Sequence, residues 1–193
     1  MSLYLASKSP RRKELLAQLQ PSFSLVEAEI DEAVIPDESA EQYVCRMARE
    51  KAARGWGNIK DADRHCWSLG SDTIVVFEQH ILGKPKDFAD CQKTLSMLSA
   101  NTHQVMTAVC LFNGEQELID CVITKVQFRK ISEQEITAYW QSNEPQDKAG
   151  SYGIQGIGGK FVKRIEGSYS AVVGLPLCET QELLNEAQRA TGG

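Results

Sequence analysis

Apolar and polar positions along the chain repeat with two different periods, and the switches between them outline the elements. The stretch Leu3–Glu14, LYLASKSPRRKE, reads as a short apolar strand, a tight polar turn and a helix start. Ser9 suits a helix N-cap and Pro10 the first helical position, and Leu15, Leu16 and Leu19 supply the apolar face. Ser22–Glu27 reads as a strand with Phe23 and Leu25 on one face. Ser39–Arg54 predicts a helix: Ser39 and Gln42 make a capping box, and Val44, Met47, Ala48 and Ala52 mark the inward side. Gly55–His65 reads as a connector, with Gly55, Gly57 and Asn58 as breakers. Ile74–Phe77 and His80–Leu82 predict a hairpin turning near Glu78 and Gln79. Phe88–Ser99 predicts an amphipathic helix carrying Cys91, Leu95 and Leu98. His103–Phe112 and Leu118–Phe128 predict two long strands around a turn at Asn113–Gly114, paired at the centre of a mixed or antiparallel sheet. Ser132–Asn143 predicts a helix with a Ser132–Glu135 capping box. Lys160–Ile165 and Ser168–Val173 read as a second hairpin turning at Glu166–Gly167. Leu175–Arg189, with Pro176 near its start, closes the chain as a helix. The mixture is that of an α/β protein, with no internal repeat or low-complexity tract.

The 193 residues, 42% of them hydrophobic, suffice for one sizeable core, and a single domain over 1–193 is expected. The formal net charge of -5 argues against a general nucleic-acid binder but leaves room for a local basic pocket. None of the six cysteines forms a C-x-x-C pair or a zinc spacing, so reduced thiols in a cytoplasmic protein are expected. The first residues lack an apolar leader, and no apolar run approaches the roughly 20 residues of a membrane helix.

Several polar positions stand out against this background. Arg11, Arg12 and Lys13 put cations in a first helical turn, where acidic residues are the stabilising choice by about 0.3–1 kcal/mol each. Either an anion sits on that turn, as helix N-termini favour, or the patch is simply solvated. Glu29–Glu38, EIDEAVIPDE, is dense in carboxylates that either ligate a metal or solvate a loop. Lys51 shares the apolar face of its helix, and its amine either snorkels to the edge or meets an anion. Asp72, between Ser71 and Thr73 at the start of an apolar strand, is disfavoured there by strand propensity and is expected at a strand mouth, facing a cleft. Lys84 and Lys86 flank Pro85 after the hairpin. A carboxylate with two lysines suits metal-assisted phosphoryl chemistry, although ordinary turn polarity explains it too. Asp147–Gly159 holds five glycines, which imply a backbone held close to a ligand or to its own chain. Within it, Gln155 can donate and accept at once, as reading a base edge requires. Thr107 and Thr124 read as sheet residues, and no histidine has a Ser or Cys partner at a catalytic spacing.

In order along the chain, SKSPRR (Ser7–Arg12), AREKA (Ala48–Ala52), GSDT (Gly70–Thr73), GKPKD (Gly83–Asp87), HQVMTAV (His103–Val109) and DKAGSYGIQG (Asp147–Gly156) together resemble the Maf family of nucleoside triphosphate pyrophosphatases. The resemblance runs nearly the whole chain. It implies a fold like that of inosine triphosphate pyrophosphatases: an elongated mixed β-sheet with flanking helices and a central cleft between two lobes. It implies cleavage of a nucleoside triphosphate to the monophosphate and pyrophosphate, a divalent metal cofactor (Mg, Mn or Co) and a homodimer, with neither nucleic acid nor membrane as partner. Carried over by motif, Asp72 corresponds to the proton acceptor and Glu32 to its partner carboxylate, both as metal ligands. Lys51 and Lys84 correspond to triphosphate contacts, and Ser7, Arg11 and Arg12 to the phosphate grip.

The family divides by specificity. Arg11, Thr73 and Gln155 match the branch that resembles enzymes for dTTP, UTP and modified uridine triphosphates. The 7-methylguanosine triphosphate branch tends to carry a bulky aromatic, a glutamine and a glutamate there, and it is the same-family alternative. Glutamine suits the imide edge of uracil or thymine, which presents two acceptors and a donor. A non-catalytic regulator of septum formation is the alternative of another class.

Overall fold

The computed structural model describes residues 1–61 and 65–192. The chain forms two compact units. One comprises Met1–Asp72, Thr107–Val122 and Gly174–Gly193, the other Thr73–Met106 and Ile123–Val173. Its strands form a seven-stranded mixed sheet in the order β2-β1-β3-β5-β6-β7, with β4 paired to β3. The strands are β1 (Ser2–Leu5), β2 (Ser24–Leu25), β3 (Cys66–Phe77), β4 (His80–Leu82), β5 (Thr102–Phe112), β6 (Glu117–Phe128) and β7 (Val162–Glu166). The helices are α1 (Pro10–Leu19), α2 (Ala40–Gly57), α3 (Phe88–Leu98), α4 (Glu133–Gln141), α5 (Tyr169–Val173) and α6 (Leu177–Thr191). The α/β class read from the sequence is therefore met.

In the first unit, β1 runs parallel to β2 and to β3, with Leu3 opposite Trp67 and Leu5 opposite Leu69. These four side chains are buried, as are Val44, Met47, Ala48 and Ala52 on α2. Helix α2 begins with the capping box at Ser39 and Gln42. It runs on to Gly57, two residues beyond the expected break at Gly55. A Cβ at Gly55 would lie 2.5 Å from Ser68 Oγ and 2.6 Å from Ala6 Cβ, so this glycine lets the helix lie close rather than ending it. Within the connector expected over Gly55–His65, residues 62–64 lie outside the described residues. The strand expected over Ser22–Glu27 shrinks to Ser24–Leu25.

In the second unit, the hairpin of β3 and β4 is antiparallel, with Val75 opposite Leu82 and Phe77 opposite His80. Its turn residues Glu78 and Gln79 have φ values of 47° and 69°, the left-handed pair that a two-residue hairpin turn demands. The core gathers Val75, Leu95, Leu98, Val126, Phe128 and Phe161. The second expected hairpin does not form. Strand β7 pairs antiparallel with β6, but the segment after it turns into α5. There Ser168 Oγ accepts from the Ala171 N–H at 3.2 Å, while the Ser168 N–H donates to Thr124 Oγ1 at 3.0 Å. The segment Ser168–Val173 is thus drawn into a short helix by a local cap and by β6.

Asp72 also differs from expectation. Strand β3 begins at Cys66, so Asp72 is the seventh of its twelve residues and not at its mouth. The segment Trp67–Ser71 is fully buried, and its serines and glycine concealed the strand in the sequence. All six cysteines are free thiols. Among the described residues, no helix is long and apolar enough to cross a membrane.

Candidate active site

Strand β3 and helix α2 meet at Gly70. A Cβ there would lie 2.3 Å from the Ala48 carbonyl oxygen and 2.4 Å from the Ala52 nitrogen. Asp72 follows two residues later, on the same face of the strand. Lys51 lies between Ala48 and Ala52 on the helix. The close approach brings Lys51 Nζ to 2.7 Å from Asp72 Oδ1. The same ammonium lies 2.7 Å from Glu32 Oε1, so two carboxylates converge on one cation. The amine meets anions, as the sharper of the two sequence readings had it. The Lys51 and Asp72 side chains are 13% and 15% exposed, and Glu32 is 59% exposed.

The acidic loop is fixed to α2 by two side chains that the sequence did not single out. The buried Tyr43 hydroxyl donates to the Glu32 carbonyl at 2.9 Å. Burial raises the Tyr43 pKa, and Asp72 and Glu32 push it the same way, so this hydroxyl stays a donor. Arg46 forks onto Glu38 at 2.6 and 2.8 Å and donates to the Ala33 carbonyl at 2.9 Å. The hydrogen bonds from Arg46 lower the Glu38 pKa against its desolvation. A tyrosine and an arginine on one helix, facing a loop rich in carboxylates, were the only sequence signal of this arrangement.

The first turn of α1 holds the next group. Ser9 caps the helix by accepting from the Arg12 N–H, and Ser7 Oγ accepts from the Ser9 N–H at 3.2 Å. Arg11 and Arg12 are half-buried. The Arg12 Nε donates at 2.9 Å to the Gly174 carbonyl, which also accepts from Ser71 Oγ at 3.3 Å. Burial lowers the Arg12 pKa, while Asp72 and Glu32 act in the opposite direction. Lys8 pairs with Glu29 at 2.6 Å on the surface.

Thr73, the residue after Asp72 in β3, is half-buried. Lys84 lies exposed between β4 and α3, and Gln155 lies exposed in the glycine-rich segment. These three belong to the second unit. The structure thus groups Ser7, Arg11, Arg12, Glu32, Lys51 and Asp72 within one unit. Within this group, direct contacts join Lys51 to Asp72 and to Glu32.

The donor set suits a hard divalent cation. Asp72 and Glu32 offer carboxylate oxygens that already converge on one positive charge, whereas thiols and imidazoles are absent from the cluster. Among the described residues, no group of three or more His, Cys, Asp or Glu side chains could hold a metal ion. Two carboxylates with the remaining positions left to phosphate and water is the usual Mg²⁺ arrangement.

Strand, helix start and paired carboxylates define an α/β protein in which two carboxylates share one ammonium beside a cationic helix start, an arrangement suited to an anionic substrate. The chain belongs to the family described as Maf-like protein, whose model matches residues 2–187. It is 54% identical over 187 residues to the dTTP/UTP pyrophosphatase of Photobacterium profundum, covering 95% of each chain. It is 55% identical over 184 residues to the dTTP/UTP pyrophosphatase of Salmonella typhimurium, covering 95% of this chain and 92% of the relative. The dTTP/UTP pyrophosphatase of Vibrio vulnificus is 53% identical over 184 residues, with 95% and 97% covered.

Proposed function

We propose that the chain hydrolyses dTTP and UTP, adding water across the bond between the α- and β-phosphates to release the monophosphate and pyrophosphate. The observation that carries this reading is Lys51 Nζ at 2.7 Å from both Asp72 and Glu32, in a chain whose relatives are named for this activity. Asp72 accepts the proton of the attacking water, because water needs a base to act as a nucleophile near neutral pH. Lys51 orients the Asp72 carboxylate and, with Arg11, Arg12, Ser7 and Lys84, meets the negative charge of the triphosphate. Preorganised cations of this kind stabilise the charge that grows on the leaving phosphates.

Asp72 and Glu32 would hold a divalent metal, Mg, Mn or Co. When bound, it supplies charge neutralisation and a lowered pKa for water. Thr73 and Gln155 face the base-reading task, and Gln155 suits the imide edge of uracil or thymine. Arg11, Thr73 and Gln155 favour this branch over 7-methylguanosine triphosphate. The protein acts as a cytoplasmic homodimer in this account.

The test is pyrophosphate release from a panel of dTTP, UTP, CTP and 7-methylguanosine triphosphate, with and without Mg²⁺ or Mn²⁺. Metal-dependent turnover of dTTP and UTP above the others supports the reading. A preference for 7-methylguanosine triphosphate overturns the specificity. No turnover by folded, metal-supplied protein overturns the activity and favours a binding role.

A further inference from the structure

The glycine-rich segment that carries Gln155 is built around a carboxylate that the proposed chemistry does not use. Glu144 opens the first of three short 3-10 turns, Glu144–Asp147, Ala149–Ser151 and Ile157–Phe161. Its Oε2 accepts from the Ile157 N–H at 2.7 Å, and its Oε1 accepts from the Gly158 N–H at 2.9 Å. The Tyr139 hydroxyl donates to the same Oε1 at 2.8 Å and accepts from the Gly153 N–H at 3.1 Å. The carboxylate thus sits where an anion would sit on the first turn of Ile157–Phe161 and holds both ends of the stretch from Gly153 to Gly158.

The glycines record the same contact from the other side. A Cβ at Gly156 would lie 2.3 Å from Glu144 Oε2, and one at Gly158 would lie 2.5 Å from the Tyr139 hydroxyl. A side chain at either position would expel the carboxylate or the ring. Burial raises the Glu144 pKa, but the hydrogen bonds from Gly158, Ile157 and Tyr139 outweigh it and leave the pKa lowered. The charge on Glu144 is therefore part of the fold of this loop. The amides of Ile157 and Gly158 are engaged by the protein itself and do not form a phosphate cradle. Only Gln155, exposed between the two anchored ends, points a polar side chain out of the segment.

We propose that Glu144 is a positioning residue for nucleotide specificity: it holds the Gly153–Gly158 segment in the one conformation that presents Gln155 to the pyrimidine base. The proposal rests on the reading of Gln155 as the base-contacting side chain. Its consequence falls on discrimination between bases rather than on the chemical step, since Glu144 touches no reacting atom.

The experiment compares Glu144→Gln, Tyr139→Phe, Gln155→Ala and the double variant Glu144→Gln/Gln155→Ala. Glu144→Gln keeps the shape of the side chain but turns one acceptor into a donor facing an N–H. KM and kcat for UTP and CTP are measured, together with amide hydrogen exchange at Ile157 and Gly158 without nucleotide. Exchange is expected to quicken about tenfold in Glu144→Gln, the scale of one lost charge-assisted hydrogen bond. The KM for UTP is expected to rise by about the same factor, with kcat changed far less and the preference for UTP over CTP reduced. Tyr139→Phe moves the same parameters in the same direction, and Glu144→Gln adds nothing to Gln155→Ala. If exchange quickens and Gln155→Ala loses discrimination while Glu144→Gln keeps it, the proposal is overturned and the Gln155 reading stands. If Gln155→Ala itself keeps discrimination, the Gln155 reading falls and the proposal with it. A merely structural Glu144 lowers the melting temperature and the active fraction but leaves KM and base preference intact, which also overturns it.

Discussion

Lys51 Nζ and Asp72 Oδ1 lie 2.7 Å apart across 21 residues of chain, with both side chains largely hidden from solvent. An ion pair so shielded costs more to break than to build. Removing one partner of a fully buried pair costs about 3–5 kcal/mol, because the other charge is left without its counter-ion. Removing Lys51 leaves both Asp72 and Glu32 without their cation, and it is only the partial hydration of the carboxylates, Glu32 above all, that moderates the loss. Lys51→Met is expected to lower unfolding free energy by about 2 kcal/mol. Urea denaturation at neutral pH, read as a shift in midpoint with unchanged slope, checks this.

The pair depends on how closely α2 lies on β3. Gly70 permits that approach, since its Cβ would meet the backbone of Ala48 and Ala52 at 2.3 and 2.4 Å. Backbone does not give way as a side-chain tip does. Gly70→Ala is expected to cost about 1–3 kcal/mol, the range for overpacking. It also displaces Lys51 from Asp72, so its turnover per folded molecule should fall as well. Thermal melting combined with a steady-state assay separates the two effects.

His103 gives a pH signature. Its Nε2 lies 2.8 Å from the Tyr152 hydroxyl, and its ring packs edge-on against Phe128. Burial lowers its pKa from 6.5 to about 4. The folded imidazole stays neutral down to about pH 4, whereas the unfolded one takes up a proton near pH 6.5. Between these values the unfolded state binds more protons, so folding stability falls as pH drops through this window. The contribution is intact above pH 6.5 and fully lost below about pH 4. Denaturation midpoints for wild type and His103→Phe, compared from pH 7.5 to 4.5, should show the wild type losing the more.

The elements were legible where local chemistry decides them. Ser39, Ser132 and Ser9 cap the helices that their positions announced, because a cap is made within four residues. Distance along the chain defeated the reading elsewhere. The helical fate of Ser168–Val173 depends on Thr124, more than 40 residues earlier, and the persistence of α2 past Gly55 depends on the room beside Ser68. Lys51 and Asp72 stood out as charged residues in apolar patterns, but their grouping with Glu32 came from a family resemblance, since no periodic pattern relates a loop, a helix and a strand. Tyr43, Arg46 and Glu144 went unnoticed for a related reason. Each satisfies backbone groups of a segment that has no ladder of its own, and only the need of those carbonyls and amides for partners signals them.

Asp72→Asn tests the account most directly. The amide keeps the shape of the side chain and a hydrogen-bond acceptor for Lys51, but it cannot take a proton from water. Pyrophosphate release from UTP at saturating Mg²⁺, normalised to folded protein by circular dichroism, is the quantity to measure. The account predicts a fall of at least about 100-fold with the fold retained, the lower end of what a general base contributes. Turnover of Asp72→Asn within a few-fold of wild type would contradict it and remove Asp72 from the reaction.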